Sequence, residues 1–465
     1  MKGLKISSKT REIDMTRGKL FPNILKFAVP LMATGVLQLL FSTADMIVVG
    51  TFVGQTEFSA VGSTASLVTL IVNFFIGLSM GAGIAMSNAY GAKNSDEGSR
   101  IMHTSIPLAV ISGVLVTVLG LLFCKQMLVL MDTPDNCMPH AEEYLSIYFC
   151  GAVFNLVYNF GAAILRATGD TVRPLIFLAI AGVLNVIVNL VSVLVLGMGV
   201  AGVAYATIAS QAISAVLVTV ALVKNKGFVH LEFKKLHIYL KTLKKILRLG
   251  VPSGLQNSLF ALSNVIIQKT INGFGEITIA GNTAARELEG FIYTMMNAVA
   301  NTAVTAVGQN YGANDFKRIK TSVIQCVFTA AGVGIIGGGI VLLLHNFFIG
   351  LYTQDPVSQE VAFNRLLLFL GTYFLCGIMD VLNCSMRGIG SSVLPMVIVL
   401  IGTCVFRIIW VYLVFPLNPT YMFIIWSYPI SWVMTSTAGL IAFCIVYKRK
   451  KRDMQFAPAE VRQTA

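Results

Sequence analysis

Apolar residues fill this chain in long tracts, and short clusters of Pro, Gly, Asn and charged residues interrupt them at regular intervals. Tracts of about 20 residues are what crossing ~30 Å of hydrocarbon requires. Reading tracts against breakers predicts twelve spanning helices. In the first half they fall near 24–52, 61–89, 101–123, 141–165, 174–196 and 201–223. In the second half they fall near 247–272, 279–309, 321–345, 361–386, 393–415 and 421–446. Barrel strands would show only ~10-residue alternating segments, so the pattern predicts helices.

The two halves repeat one another around the basic connector Lys224–Arg248. Ala28-Val29-Pro30 opens one apolar tract and Gly250-Val251-Pro252 another. Tyr90-Gly91-Ala92 is matched by Tyr311-Gly312-Ala313, and Arg166-Ala167-Thr168-Gly169 by Arg387-Gly388-Ile389-Gly390, both at an offset of 221 residues. An internal repeat of this length marks a duplication. Six spans per half is an even number, so both halves enter the membrane in the same orientation. The expected fold is therefore an all-α membrane protein: twelve transmembrane helices in two six-helix bundles, related by a pseudo-two-fold axis along the membrane normal. In such parallel repeats substrate sits between the bundles, which rock to expose it alternately.

Composition agrees, with 56% hydrophobic and 12% charged residues against about 25% charged in a soluble domain. The net charge of +13 invites a nucleic-acid reading. Its placement excludes one, because Lys and Arg gather in the N-terminal tail, alternate loops, the connector and Lys448–Arg452. That is the positive-inside pattern, which puts both termini in the cytoplasm. The expected order is a cytoplasmic tail (1–23), the first bundle (24–223), a basic cytoplasmic connector (224–246), the second bundle (247–446) and a cytoplasmic tail (447–465). No cleavable apolar leader is read in the first twenty residues. Eight cysteines lack any CxxC spacing; Cys124 and Cys137 flank an outer loop, which leaves a disulfide open. The five histidines show no metal spacing.

Polar residues inside the tracts carry the chemistry. Asp45 lies about 12 Å below the outer end of span one at helical rise, and intramembrane carboxylates usually line ion or substrate paths. Asn185 and Asn189 share a face of span five, and Thr207 of span six comes out at similar depth. One carboxylate, two amide oxygens and a hydroxyl suit Na⁺ coordination or proton relay; inter-helix hydrogen bonding is the plainer alternative. No loop has the phosphate cradle of an ATP-driven pump, so elimination points to an ion gradient.

These residues resemble the multidrug and toxic compound extrusion (MATE) transporters of bacteria over about residues 20–447. The marks are the Pro30 opening, the Asp45 segment, the two Tyr-Gly-Ala endings, Leu165-Arg166-Ala167-Thr168-Gly169-Asp170, Asn185-Val-Ile-Val-Asn189, and Gly202-Val-Ala204-Tyr-Ala206-Thr207. The resemblance implies a cation site in the first bundle at Asp45, Asn185, Asn189 and Thr207. It also implies export of cationic or amphipathic organic compounds in exchange for Na⁺ or H⁺. Some relatives carry a second Asp where this chain has Asn189, which weakens the case for tight Na⁺ binding and keeps H⁺ coupling open. No other cofactor, metal or partner is implied beyond the bilayer of the cell inner membrane, and a monomer is expected.

The second half is not a copy here: Asp45 aligns with Ile267, and Arg407 falls beside the counterpart of Asn185. Glu287, Glu289 and Arg407 come out at one depth. Buried charges are normally paired, so one glutamate is expected to neutralise Arg407 while the other faces a central substrate cavity with Asp380. Met80, Met86, Met295 and Met296 suit either an adaptable cavity wall or plain packing. The turns at Arg166 and Arg387 read as tight inside loops. A flippase for lipid-linked saccharides is the nearest rival; twelve spans with few intramembrane arginines favour an exporter. A lipid-modifying enzyme would need a His/Asp or Ser/His constellation that the spans lack.

Overall fold

The computed structural model describes residues 12–131, 133–225 and 227–456. Twelve long helical segments follow one another: α1 (Leu20–Val53), α2 (Gln55–Gly91), α3 (Ser95–Leu130), α4 (Met138–Cys150 and Ala152–Ala167), α5 (Val172–Val195) and α6 (Gly199–Lys224), then α7 (Leu240–Asn272), α8 (Glu276–Gly312), α9 (Phe316–Leu343), α10 (Pro356–Gly388), α11 (Val393–Leu417) and α12 (Tyr421–Gln455). Charges on α7 and α8 (Lys241, Lys244, Lys245; Arg286, Glu287, Glu289) lower their apolar content relative to the others. Large apolar side chains stand out from the bundle surface, as Leu122 (63%), Ile336 (67%) and Phe328 (73%) do. Such a surface suits lipid, which, unlike water, takes no part in hydrogen bonding.

The helices exceed the predicted spans at most ends. Predicted span four is two helices bent by 47° at Gly151. The connector is shorter than its charge suggested: α7 starts at Leu240, so Lys241, Lys244 and Lys245 ride on a helix. Lys448–Arg452 likewise continue α12. Cys124 and Cys137 are free, buried thiols, and Cys137 Sγ points at the Thr56 carbonyl instead (3.7 Å).

Backbone detail shows the duplication more plainly than side chains do. Positive φ recurs at mates 221 apart: Gly54 and Gly275, Lys93 and Asn314, Gly169 and Gly390. Asn94 and Asp315, another such pair, both cap helices by accepting from the amide three residues on.

The halves meet through small residues. Gly77 and Gly81 of α2 face Gly254 and Gly250 of α7, and a Cβ at Gly77 or Gly81 would strike the facing backbone. With its amide turned so that N faces the acceptors, Asn88 of α2 donates to Gly308 O (3.0 Å) of α8 and Gly388 O (3.1 Å) of α10. These contacts run from mid-bundle toward the end where residues 12–18 and the last turns of α12 lie, the tail end.

Two lead-in segments cross that end. Residues 12–18 form a strap, in which Ile13 N donates to Gly169 O (3.2 Å) and Met15 N to Gln309 Oε1 (2.8 Å). Met15 O accepts from Asn310 Nδ2 (3.2 Å) and Arg318 Nη2 (2.9 Å), and the Met15 side chain is wholly buried. The connector does the converse. It leads into the second half yet docks on α3 of the first: Glu232 N donates to His103 Nε2 (3.1 Å), Tyr239 N to Thr104 Oγ1 (3.3 Å), and Lys245 pairs with Glu97 (3.3 Å).

Candidate functional site

Asp45 projects from α1 toward α5, where Asn189 Nδ2 donates to its Oδ1 at 2.5 Å. The same Nδ2 lies 3.5 Å from Asn185 Oδ1, one helical turn back. Asn189 is fully buried, and its own Oδ1 has no hydrogen-bond partner. Leaving such an acceptor bare costs about 1–3 kcal/mol, so the site presents an oxygen in want of a proton donor or a cation. Thr207 Oγ1 donates to Val203 O (3.0 Å) on its own helix α6, which leaves its lone pairs free. Asp45, Asn185 and Thr207 line one cavity of about 400 Å³ inside the first half, walled also by Tyr144 and Tyr148 of α4, and Asn189 sits buried behind Asp45. The two helices that supply the carboxylate and the amides widen into a π-turn just beyond them, at Val49–Val53 and Val191–Val195. Such turns occur frequently at functional sites.

A larger cavity of about 560 Å³ lies between the halves and shares Gln38, Thr69, Tyr158 and Asn159 with the first. Its wall is rich in amides, and several buried polar atoms in it lack partners: Gln256 Oε1, both amide atoms of Asn383, and Arg387 Nε. Asp380 lines it, as expected, and so does its repeat mate Asn159. Of the methionines considered, Met80 lines it, whereas Met86 and Met296 are core.

Three expected cavity residues lie elsewhere. Glu289 is held by Arg365 through two bonds of 2.8 Å, while Arg365 also donates to Asn282 Oδ1 (2.7 Å) and lies over the Phe369 ring. Glu287 is half exposed beside Arg286 (3.9 Å). Arg407 therefore pairs with no carboxylate among the described residues. It donates to Asn264 Oδ1 (3.0 Å) and Ser431 Oγ (3.2 Å) and stacks over the Tyr428 ring at 4.1 Å. The expected Glu–Arg407 pair fails because α10 begins at Pro356, which carries Arg365 well inside the helix. The seven-residue spacing of Asn282 and Glu289 on one face of α8 was the signal that could have pointed to this partner. Arg166 and Arg387, expected in tight turns, instead line the tail-side floor of the central cavity.

The MatE family model matches residues 30–191 and again 252–413, which together cover most of the chain and reproduce its repeat. The chain belongs to the MatE family. It is 29% identical over 406 residues to the probable multidrug resistance protein YoeA of Bacillus subtilis, covering 84% of this chain and 86% of that one. It is 26% identical over 387 residues to the probable multidrug resistance protein NorM of Thermotoga maritima, covering 82% of each. A solved outward-facing structure of a multidrug resistance MATE family transporter superposes with a TM-score of 0.87 at 22% identity, over 95% of this chain and 98% of that one. A Pyrococcus furiosus transporter described as having a binding pocket of reverse polarity superposes with a TM-score of 0.86 at 22% identity, over 95% and 98%. Family and fold make this MatE chain a multi-pass membrane transporter and not an enzyme.

Proposed function

We propose that this chain is a secondary active exporter of amphipathic organic compounds, driven by Na⁺ or H⁺ entering through the Asp45 site. The observation that carries the reading is the pairing of Asp45 with Asn189, whose remaining oxygen is buried and bare. A lone carboxylate beside an unsatisfied acceptor can take one monovalent charge, either a proton on Asp45 or a Na⁺ shared among Asp45, Asn185, Asn189 and Thr207. The multidrug resistance names of the relatives support the cargo. A drug-sized cavity between the two repeated halves supports a reading of alternating access. In this reading the tail end is cytoplasmic, as the basic residues indicate, and the strap and glycine contacts hold it shut.

The test is efflux of a fluorescent organic dye from proteoliposomes, with Na⁺ and H⁺ gradients imposed separately on wild type and Asp45→Asn. One gradient should drive uphill export, and Asp45→Asn should abolish it; the effective gradient names the ion. Export indifferent to both gradients and to Asp45 would overturn the coupling site.

A further inference from the structure

Arg166 and Arg387 are repeat mates, one from each half, and both line the floor of the central cavity. Arg387 is 97% buried by its 3% exposure, yet Nε has no acceptor and Nη1 meets only Met80 Sδ (3.1 Å). One helical turn away on the same face of α10, the Asn383 amide, 2% exposed, also has an unused donor. Among the described residues neither arginine is within ion-pair distance of a carboxylate. The Asp380 backbone lies about 10 Å farther up the same helix at helical rise, and its carboxylate feels the Arg387 charge without forming an ion pair with it. Both arginines sit in the last turn of their helices, where the carbonyl ends favour a cation. That explains how the charges persist there, but not why their donors stay free.

We infer that this floor is an oxyanion site: Arg387 Nε and Asn383 Nδ2 bind a carboxylate or sulfonate of the transported molecule, with Arg166 as the second cation across the cavity. The inference rests on the export reading and narrows its cargo. With Asp380 higher up, the cavity is dipolar along the membrane normal, basic below and acidic above. It selects amphiphiles that carry an anion, zwitterions included, over those bearing only a cation. The duplication supplies the geometry, because one ancestral arginine at the end of the fourth helix becomes two facing ones.

Rhodamine 110 and its methyl ester, rhodamine 123, differ only in whether the carboxylate is free. Fluorescence anisotropy with the full chain in nanodiscs should show rhodamine 110 bound about tenfold or more tighter, as one charge-assisted contact gives. In Arg387→Gln the preference should vanish, while Arg387→Lys keeps part of it. If Arg387→Gln fails to fold, Arg166→Gln and Asn383→Ala carry the same expectation. Equal affinities in wild type, tighter binding of the ester, or a preference that survives all three substitutions would overturn the oxyanion site alone. Binding of neither dye would overturn the export reading and this site with it.

Discussion

Glu289 and Arg365 hold each other in a dry interior, each about 4% exposed at the side chain. Removing one member of such a pair typically costs 3–5 kcal/mol, whereas replacing both can be nearly neutral. Glu289→Gln should therefore lower the melting temperature markedly, and adding Arg365→Met should restore most of the loss. A single variant that melts like wild type would show the pair to be incidental. The pair was only half legible: the Asn282 and Glu289 spacing marks one polar face of α8, but it does not name the cation that meets that face from another helix. Asp45 was legible, since a carboxylate inside an apolar tract is conspicuous in one dimension. Its neighbour Asn189 followed from helical periodicity. The bare oxygen on Asn189 could come only from coordinates. The arginines of the cavity floor were visible in the repeat but assigned to turns, because a helix end and a turn read alike.

Helix ends follow the Pro, Gly and Asn punctuation to within a few residues, while the bend at Gly151 left no mark that the apolar pattern could show. One close seam between the halves was written in the chain as Gly77-xxx-Gly81 and Gly250-xxx-Gly254. This small-residue spacing lets helix backbones approach in membranes, and it went unread beside the Pro252 signal. Gly254→Leu should force α7 away from α2 at the cost typical of overpacking, about 1–3 kcal/mol. In a chain whose only cysteine is Cys384, which lines the central cavity, an impermeant maleimide applied at the tail end should then label about tenfold faster. Unaltered labelling in Gly254→Leu would mean that the seam does not hold the tail end closed.

At the scale of the molecule, the duplication, the class and the twelve-helix architecture were all legible, because lipid imposes tract length and the repeat sets topology. What the halves do differently was partly legible: Ile267 stands where the first half has Asp45, so the second bundle lacks that carboxylate. Docking of the lead-in segments was not, since strap and connector bind largely through backbone groups that carry no residue code. Met15→Asp would place a charge in a fully buried socket, and should free the strap and raise Cys384 labelling from the tail end. Labelling equal to that of wild type would show the strap to be passive.

The reciprocal docking of those segments has a corollary for leakage. The first half's leading arm is held mainly by the second half, and the second half's by the first. An exporter of the proposed kind wastes its gradient whenever the tail end opens without cargo. If opening requires both arms to release together, the wasted fraction is the product of two small probabilities rather than one of them. Two weak ties then insulate as well as one strong tie, and each stays weak enough for an arriving cargo to undo.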